Sequence, residues 1–123
     1  MTFIPEKNER GIYIEPGECI FIPTGIVFDI PPGYKVVLYP RSGLSGKNHI
    51  KLANCTGITD EDFVLETKIL LFNDSEKRQT IVHGERIAQA EIQPVIQVEF
   101  RSLSEQPLPK TDRKGGFGHS GSL

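Results

Sequence analysis

The chain has no tryptophan, a single methionine and only two cysteines in 123 residues. Cys19 and Cys55 are isolated and lack the close pairing of a zinc site, so thiolate metal binding does not organise this protein. Two lone cysteines in a soluble chain are read as reduced. Long hydrophobic runs are also missing. None approaches the roughly 18 apolar residues of a membrane-crossing helix, which excludes such a span. Glu6, Lys7, Asn8, Glu9 and Arg10 stand where the apolar stretch of a secretory signal would lie. No signal peptide is therefore expected, and a cytoplasmic location is. Nor is there an excess of positive charge: 14 basic residues face 16 acidic ones, for a net charge of −2. That argues against a nucleic-acid coat or a membrane-binding face, both of which need a basic surplus. Finally, nowhere do apolar residues keep helical spacing for more than two turns. The best helix candidate, 43–47, is a single turn.

What the chain has instead is punctuation. Twelve glycines and nine prolines separate short runs rich in Ile, Val and Phe. The runs predict strands over 11–14, 19–22, 26–30, 34–39, 49–52, 67–72, 80–82, 87–92 and 95–100. Turn signals every eight to ten residues are the mark of an all-β sandwich or barrel. The length fits one domain, and a flat or open core of this size gains from contacts between copies. After Phe100 the chain turns polar and rich in Gly, Pro and Ser. Composition alone reads that tail as disordered. Against this, Phe117 stands among glycines with Arg113, Lys114, His119 and Ser120 around it, the makings of an arm that closes over a phosphorylated aromatic ligand.

Three further stretches carry chemistry. Pro40-Arg41-Ser42-Gly43-Leu44 ends a predicted strand with a guanidinium fork, a hydroxyl and a glycine that lets backbone approach a ligand closely. Arg matches phosphate oxygens bidentately. Asn54-Cys55-Thr56-Gly57-Ile58-Thr59-Asp60-Glu61-Asp62-Phe63 places a glycine turn before a carboxylate and an aromatic. Such a turn can offer backbone groups to a base edge, and Asp60 can orient water as a general base. Gly84-Glu85-Arg86-Ile87-Ala88-Gln89 brings Arg86 and Gln89 to an otherwise apolar strand. Taken singly, each stretch is explained by an ordinary surface turn.

Together and in this order, with Gly115-Gly116-Phe117-Gly118-His119-Ser120-Gly121, they closely resemble the trimeric dUTPase family, over most of the chain from about Ile12 to Gly121. The resemblance implies a jelly-roll-like β-clip subunit, with residues 1–103 as the β domain and 104–123 as a flexible glycine-rich arm. It implies a homotrimer with active sites shared between subunits, acting on dUTP and on neither nucleic acid nor membrane. By the same resemblance Arg41, Ser42 and Gly43 contact the triphosphate, with Gln89 assisting. Asn54, Gly57, Ile58 and Thr59 read uracil, and Asp60 orients the attacking water. Phe63 packs under the deoxyribose. Phe117 caps the base from a neighbouring subunit, while Arg113, Gly116, Gly118, His119 and Ser120 complete the arm's share. The implied reaction is water attack at the α-phosphorus, giving dUMP and pyrophosphate, with Mg²⁺ carried on the substrate phosphates. It limits uracil incorporation into DNA and supplies dUMP for thymidylate synthesis.

Four departures from the family pattern stand out. The family's first motif is absent: its aspartate position falls near Thr2, with Phe3 in the following place, so the chain is expected to begin inside that motif. Phe63 replaces a tyrosine, Val64-Leu65 replaces a pair ending in glycine, and Arg113-Lys114 reaches Gly115 one residue early. The missing motif and Val64-Leu65 support a competing expectation, a catalytically impaired nucleotide-binding or regulatory protein on the same fold. A dCTP deaminase shares the fold too, but Gly57-Ile58-Thr59-Asp60 and Gly115-Gly116-Phe117-Gly118 favour the hydrolase.

Overall fold

The computed structural model describes residues 11–117. Among them are eight strands and one short helix, in the order β1 (Ile12–Ile14), β2 (Cys19–Ile26), β3 (Tyr34–Pro40), α1 (Ser42–Asn48), β4 (Ile50–Leu52), β5 (Gly57–Thr59), β6 (Thr67–Asn73), β7 (Gln79–Ile81) and β8 (Ala88–Pro94). Every pairing is antiparallel. The strands form a two-stranded pair β1-β7 and two three-stranded sheets, β2-β6-β4 and β5-β3-β8. The all-β expectation holds.

The period-two rule decides which side chains meet. Along β6, Thr67, Ile69, Leu71 and Asn73 are buried while Lys68 faces solvent, because successive residues of a strand point to opposite faces. Ile22 and Thr24 of β2, Ile50 and Leu52 of β4, and Val36 and Leu38 of β3 are buried as well, and Ile14, Ile81 and Ile87 close the same cluster. A buried aliphatic side chain contributes about 1.5–3 kcal/mol relative to its exposed state. Asn73 is the largest of the buried polar residues, at 0% exposure. Its Nδ2 donates to Ile14 O (2.8 Å) and Lys77 O (2.7 Å), and its Oδ1 accepts from Ser75 N and Ser75 Oγ. One amide thus joins β1, β6 and the turn into β7.

Three local features differ from the expected runs. The run at 26–30 is not a separate strand: β2 continues through Gly25 to Ile26 across a bulge. Thr24 Oγ1 donates to Thr67 O (2.6 Å) and accepts from Ile26 N, and Gly25 adopts φ +69°, which glycine tolerates without a Cβ penalty. Glu66 Oε1 accepts the Gly25 N–H (2.9 Å). The helix is longer than one turn, running Ser42–Asn48, and ends at His49 in the left-handed region (φ 54°), whose N–H donates back to Leu44 O. The run at 95–100 forms no strand. Val95 N–H donates to Gly33 O (2.8 Å), but among the described residues no strand pairs with 96–100. Every described residue from Pro94 onward is exposed.

Candidate active site

The site grows from the pairing of β3 with β5, in register Val36↔Thr59, Val37↔Ile58 and Leu38↔Gly57. Gly57 is the first residue of β5 rather than part of the turn. The turn is carried by 53–56, closed by Cys55 N–H on Leu52 O (3.0 Å) and Thr56 N–H on Asn54 O (2.6 Å). A glycine is needed at 57 for space: a Cβ there would lie 3.0 Å from Leu38 Cβ and 3.1 Å from Leu38 Cδ1. β5 is also the edge of its sheet, so the backbone groups on its open side are unpaired within the sheet. Beyond β5 the chain reverses, with Phe63 N–H on Asp60 O (3.1 Å).

These elements enclose a cleft of about 200 Å³ lined by Leu38, Asn54, Gly57, Ile58, Thr59, Asp60, Phe63, Thr67 and Lys68. Six sequence-predicted residues, Asn54, Gly57, Ile58, Thr59, Asp60 and Phe63, therefore come together. Three others were missed. Leu38 and Lys68 give no signal in the sequence. Thr67 gives a faint one, as the polar residue at an inward position of an aliphatic run, and its buried Oγ1 has no hydrogen-bond partner. Asp60 is the cleft's sole carboxylate, and Phe63 is 41% exposed, its ring available to a ligand. Val64 and Leu65 point outward and are exposed.

A second cluster forms where β8 pairs with the end of β3, in register Tyr39↔Gln89 and Pro40↔Ala88. Arg41 Nη1 donates to Arg86 O (2.8 Å) and Gln89 Nε2 donates to Pro40 O (3.0 Å). The two motifs that share phosphate chemistry in the sequence are thus adjacent. Ser42 and Gly43 open α1, and no side chain caps that end. Arg41, Ser42, Gly43 and Gln89 do not line the cleft. Arg113, Gly116 and Phe117 belong to neither group. Arg113 donates to Gly115 O (2.7 Å) and Gly116 O (3.3 Å) of its own arm, and Phe117 is fully exposed. Gly118, His119 and Ser120, like Thr2 and Phe3, lie outside the described residues. Among the described residues no group of three or more His, Cys, Asp or Glu is placed to hold a metal ion.

Comparison with known proteins identifies the family. The dUTPase family model matches residues 7–121. A deoxyuridine 5'-triphosphate nucleotidohydrolase of Finegoldia magna is 45% identical over 115 residues, covering 93% of this chain and 79% of its own. One from Desulfotalea psychrophila is 42% identical over 109 residues, covering 88% and 71%. Among solved structures, a mutant dUTPase of Staphylococcus bacteriophage 80alpha with dUpNHpp superposes with a TM-score of 0.73 at 26% identity, over 99% of this chain and 92% of that one. The chain belongs to the dUTPase family.

Proposed function

We propose that this chain hydrolyses dUTP to dUMP and pyrophosphate. The observation that carries the reading is the cleft itself, in which an edge strand of a dUTPase-family fold, a carboxylate and an aromatic ring face one small space. Uracil presents a donor between two acceptors, and the open edge of β5 offers backbone N–H and C=O groups of matching kind. A side chain at position 57 would press on Leu38 and Asn54, both of which line the cleft, so glycine there keeps the cleft open to a base. Phe63 stacks under the deoxyribose. Asp60 orients the attacking water as general base, an effect typically worth ~10²–10⁴ in rate.

Arg41, Ser42, Gly43 and Gln89 take the triphosphate, with Arg41 held ready by its bond to Arg86 O. Mg²⁺ fits this donor set as a passenger on the substrate: a cleft with a lone carboxylate suits an ion that keeps waters and binds through phosphate oxygens. When bound it neutralises phosphate charge. The protein's own share is positioning and electrostatic stabilisation.

The working unit is a homotrimer with shared sites. Two features support this. The phosphate cluster and the base cleft are separate within one chain, and the stretch from Val95 exposes Ile96 (83%), Phe100 (94%) and Leu108 (86%). Apolar surface of this kind marks an interaction site. Residues 1–103 form the β domain and 104–123 the arm that closes over a neighbour's site. Gly116, Phe117, Gly118, His119 and Ser120 cap the ligand, and Arg113 holds outer phosphate. A cytoplasmic location suits a nucleotide hydrolase of this kind. Pyrophosphate release with Mg²⁺ from dUTP, dTTP, dCTP and UTP in parallel tests the reading. Release confined to dUTP is expected, and a folded sample that releases none refutes it.

A further inference from the structure

Asp60 and Phe63 sit on a reverse turn that needs an outside anchor. Within the turn, Phe63 N–H bonds Asp60 O. Among the described residues, Glu61 is the one side chain of 60–65 that hydrogen-bonds to another part of the domain. Its Oε2 accepts the Gly33 N–H at 2.5 Å. Gly33 lies in the turn between β2 and β3, which is closed by Tyr34 N–H on Pro31 O. Its φ of +83° is in the left-handed region, so its amide direction is set by a conformation that suits glycine. The carbonyl of the same residue accepts Val95 N–H (2.8 Å), just past the end of β8 where the exposed C-terminal stretch begins.

From this we infer that Glu61 is a positioning residue for the reaction. Its carboxylate fixes the Asp60–Phe63 turn through the Gly33 amide, and the Gly33 carbonyl holds Val95, where the chain leaves β8. The turn that carries the water-orienting group and the exit of the chain from β8 are thereby referred to one residue. The inference rests on the role proposed for Asp60, and it deepens that role. The tether needs reach and an acceptor, not charge. Gln keeps both, Asp keeps the charge but is one methylene short, and Ala keeps neither.

The test compares Glu61→Gln, Glu61→Asp and Glu61→Ala with the unaltered protein. It reads kcat and KM for dUTP and hydrogen exchange at the Gly33 and Val95 amides. Losing the hydrogen bond that orients a catalytic group should lower kcat about tenfold in Glu61→Ala and Glu61→Asp. KM should change less than kcat, because the base-reading strand and the phosphate cluster are untouched and only Phe63, at the far end of the turn, touches the substrate. Glu61→Gln should stay near the unaltered kcat. Exchange at Gly33 should quicken in the Ala and Asp variants and not in Gln. A variant that merely loosens the fold would move its melting temperature and KM along with kcat. Three results would each overturn the inference: unaltered kcat in Glu61→Ala, low kcat in Glu61→Gln with high kcat in Glu61→Asp, or a Gly33 amide indifferent to all three. If the unaltered protein does not hydrolyse dUTP, the proposed reaction fails and the catalytic part of this inference fails with it. The exchange pattern then still decides whether the tether exists.

Discussion

Replacing Gly57 with alanine should damage the fold slightly and the base pocket severely, for one geometric reason. The added Cβ would meet Leu38 Cβ at 3.0 Å, Leu38 Cδ1 at 3.1 Å and Asn54 Nδ2 at 3.5 Å, where carbon atoms prefer about 3.5–4.0 Å. The Leu38 Cδ1 contact can relax by rotation, but Leu38 Cβ is fixed to the backbone of β3. That backbone is held on both sides, by Gly57 of β5 and Ala90 of β8. β5, the edge strand, must therefore move outward by a few tenths of an ångström. Overpacking of this kind costs about 1–3 kcal/mol. Gly57 does not occupy the left-handed region, so no backbone strain adds to this. The stiffer unfolded chain returns about 0.4–1 kcal/mol. A net loss near 1 kcal/mol lowers the melting temperature of a domain this size by about 4 °C, compared at equal protein concentration. Calorimetric titration with dUMP should show a larger effect, at least about tenfold, because hydrogen bonds to a base edge tolerate little displacement. A Gly57→Ala protein that melts and binds dUMP like the unaltered one would refute the argument. Adding Leu38→Ala should restore little, since it leaves the 3.0 Å contact to Cβ in place.

Four more outcomes are expected. Asn73→Ala strips the donors from Ile14 O and Lys77 O inside the fold and should cost about 2–4 kcal/mol in urea denaturation; a loss under about 1 kcal/mol would show that water replaces the amide. Asp60→Asn keeps the side chain's shape and removes its basicity, so pyrophosphate release should fall at least ~10²-fold; near-normal turnover would place the base elsewhere. Ending the chain after Lys110 removes a segment in which Arg113 bonds only to Thr111, Gly115 and Gly116 of the same arm, so melting should be unchanged and turnover impaired; unfolding would make the arm structural. Chelation with EDTA should stop dUTP hydrolysis and added Mg²⁺ should restore it, measured by pyrophosphate release; turnover that persists through chelation would remove the ion from the mechanism.

Much of the fold was legible because burial follows a period the sequence displays. β6 is the clearest instance: Thr67, Ile69 and Leu71 alternate with Lys68 and Leu70, and the strand falls where the run predicts. β5 looks like a turn in the sequence because three residues carry no period, and because Gly57 resembles a turn former when its actual duty is to admit Leu38. The bulge in β2 was hidden for a related reason. Its cause is a hydroxyl bonding across 43 residues of sequence, from Thr24 to Thr67 O, and no local pattern announces such a partner. Residues 95–100 show the opposite failure. They have a strand's alternation, yet a strand exists only where another edge is present to pair. Of the site, the motif residues that line the cleft were legible, and the residues that hold them were not. Glu61 reads as one more acid in an acidic turn until Gly33 is found beside it.

The two clusters on the β domain and the C-terminal segment differ in how far they are organised before a ligand arrives. Arg41 and Gln89 already spend one donor each on carbonyls of the same sheet end, which fixes their direction and leaves Arg41's remaining donors for phosphate. The cleft is held in the same way, by β-pairing at Gly57 to Thr59 and by Glu61 on the turn. The arm is the contrast. Arg113 donates to Gly115 O and Gly116 O, bonds to be exchanged if it is to hold a phosphate through the same donors, and Phe117 is fully exposed. Ordering such a segment costs entropy that the bound ligand must offset. If the arm closes as proposed, over a base cleft and a phosphate cluster that are already fixed, closure depends on the full triphosphate. The pyrophosphate product, once cleaved, no longer ties the arm to the nucleoside, and the site can reopen.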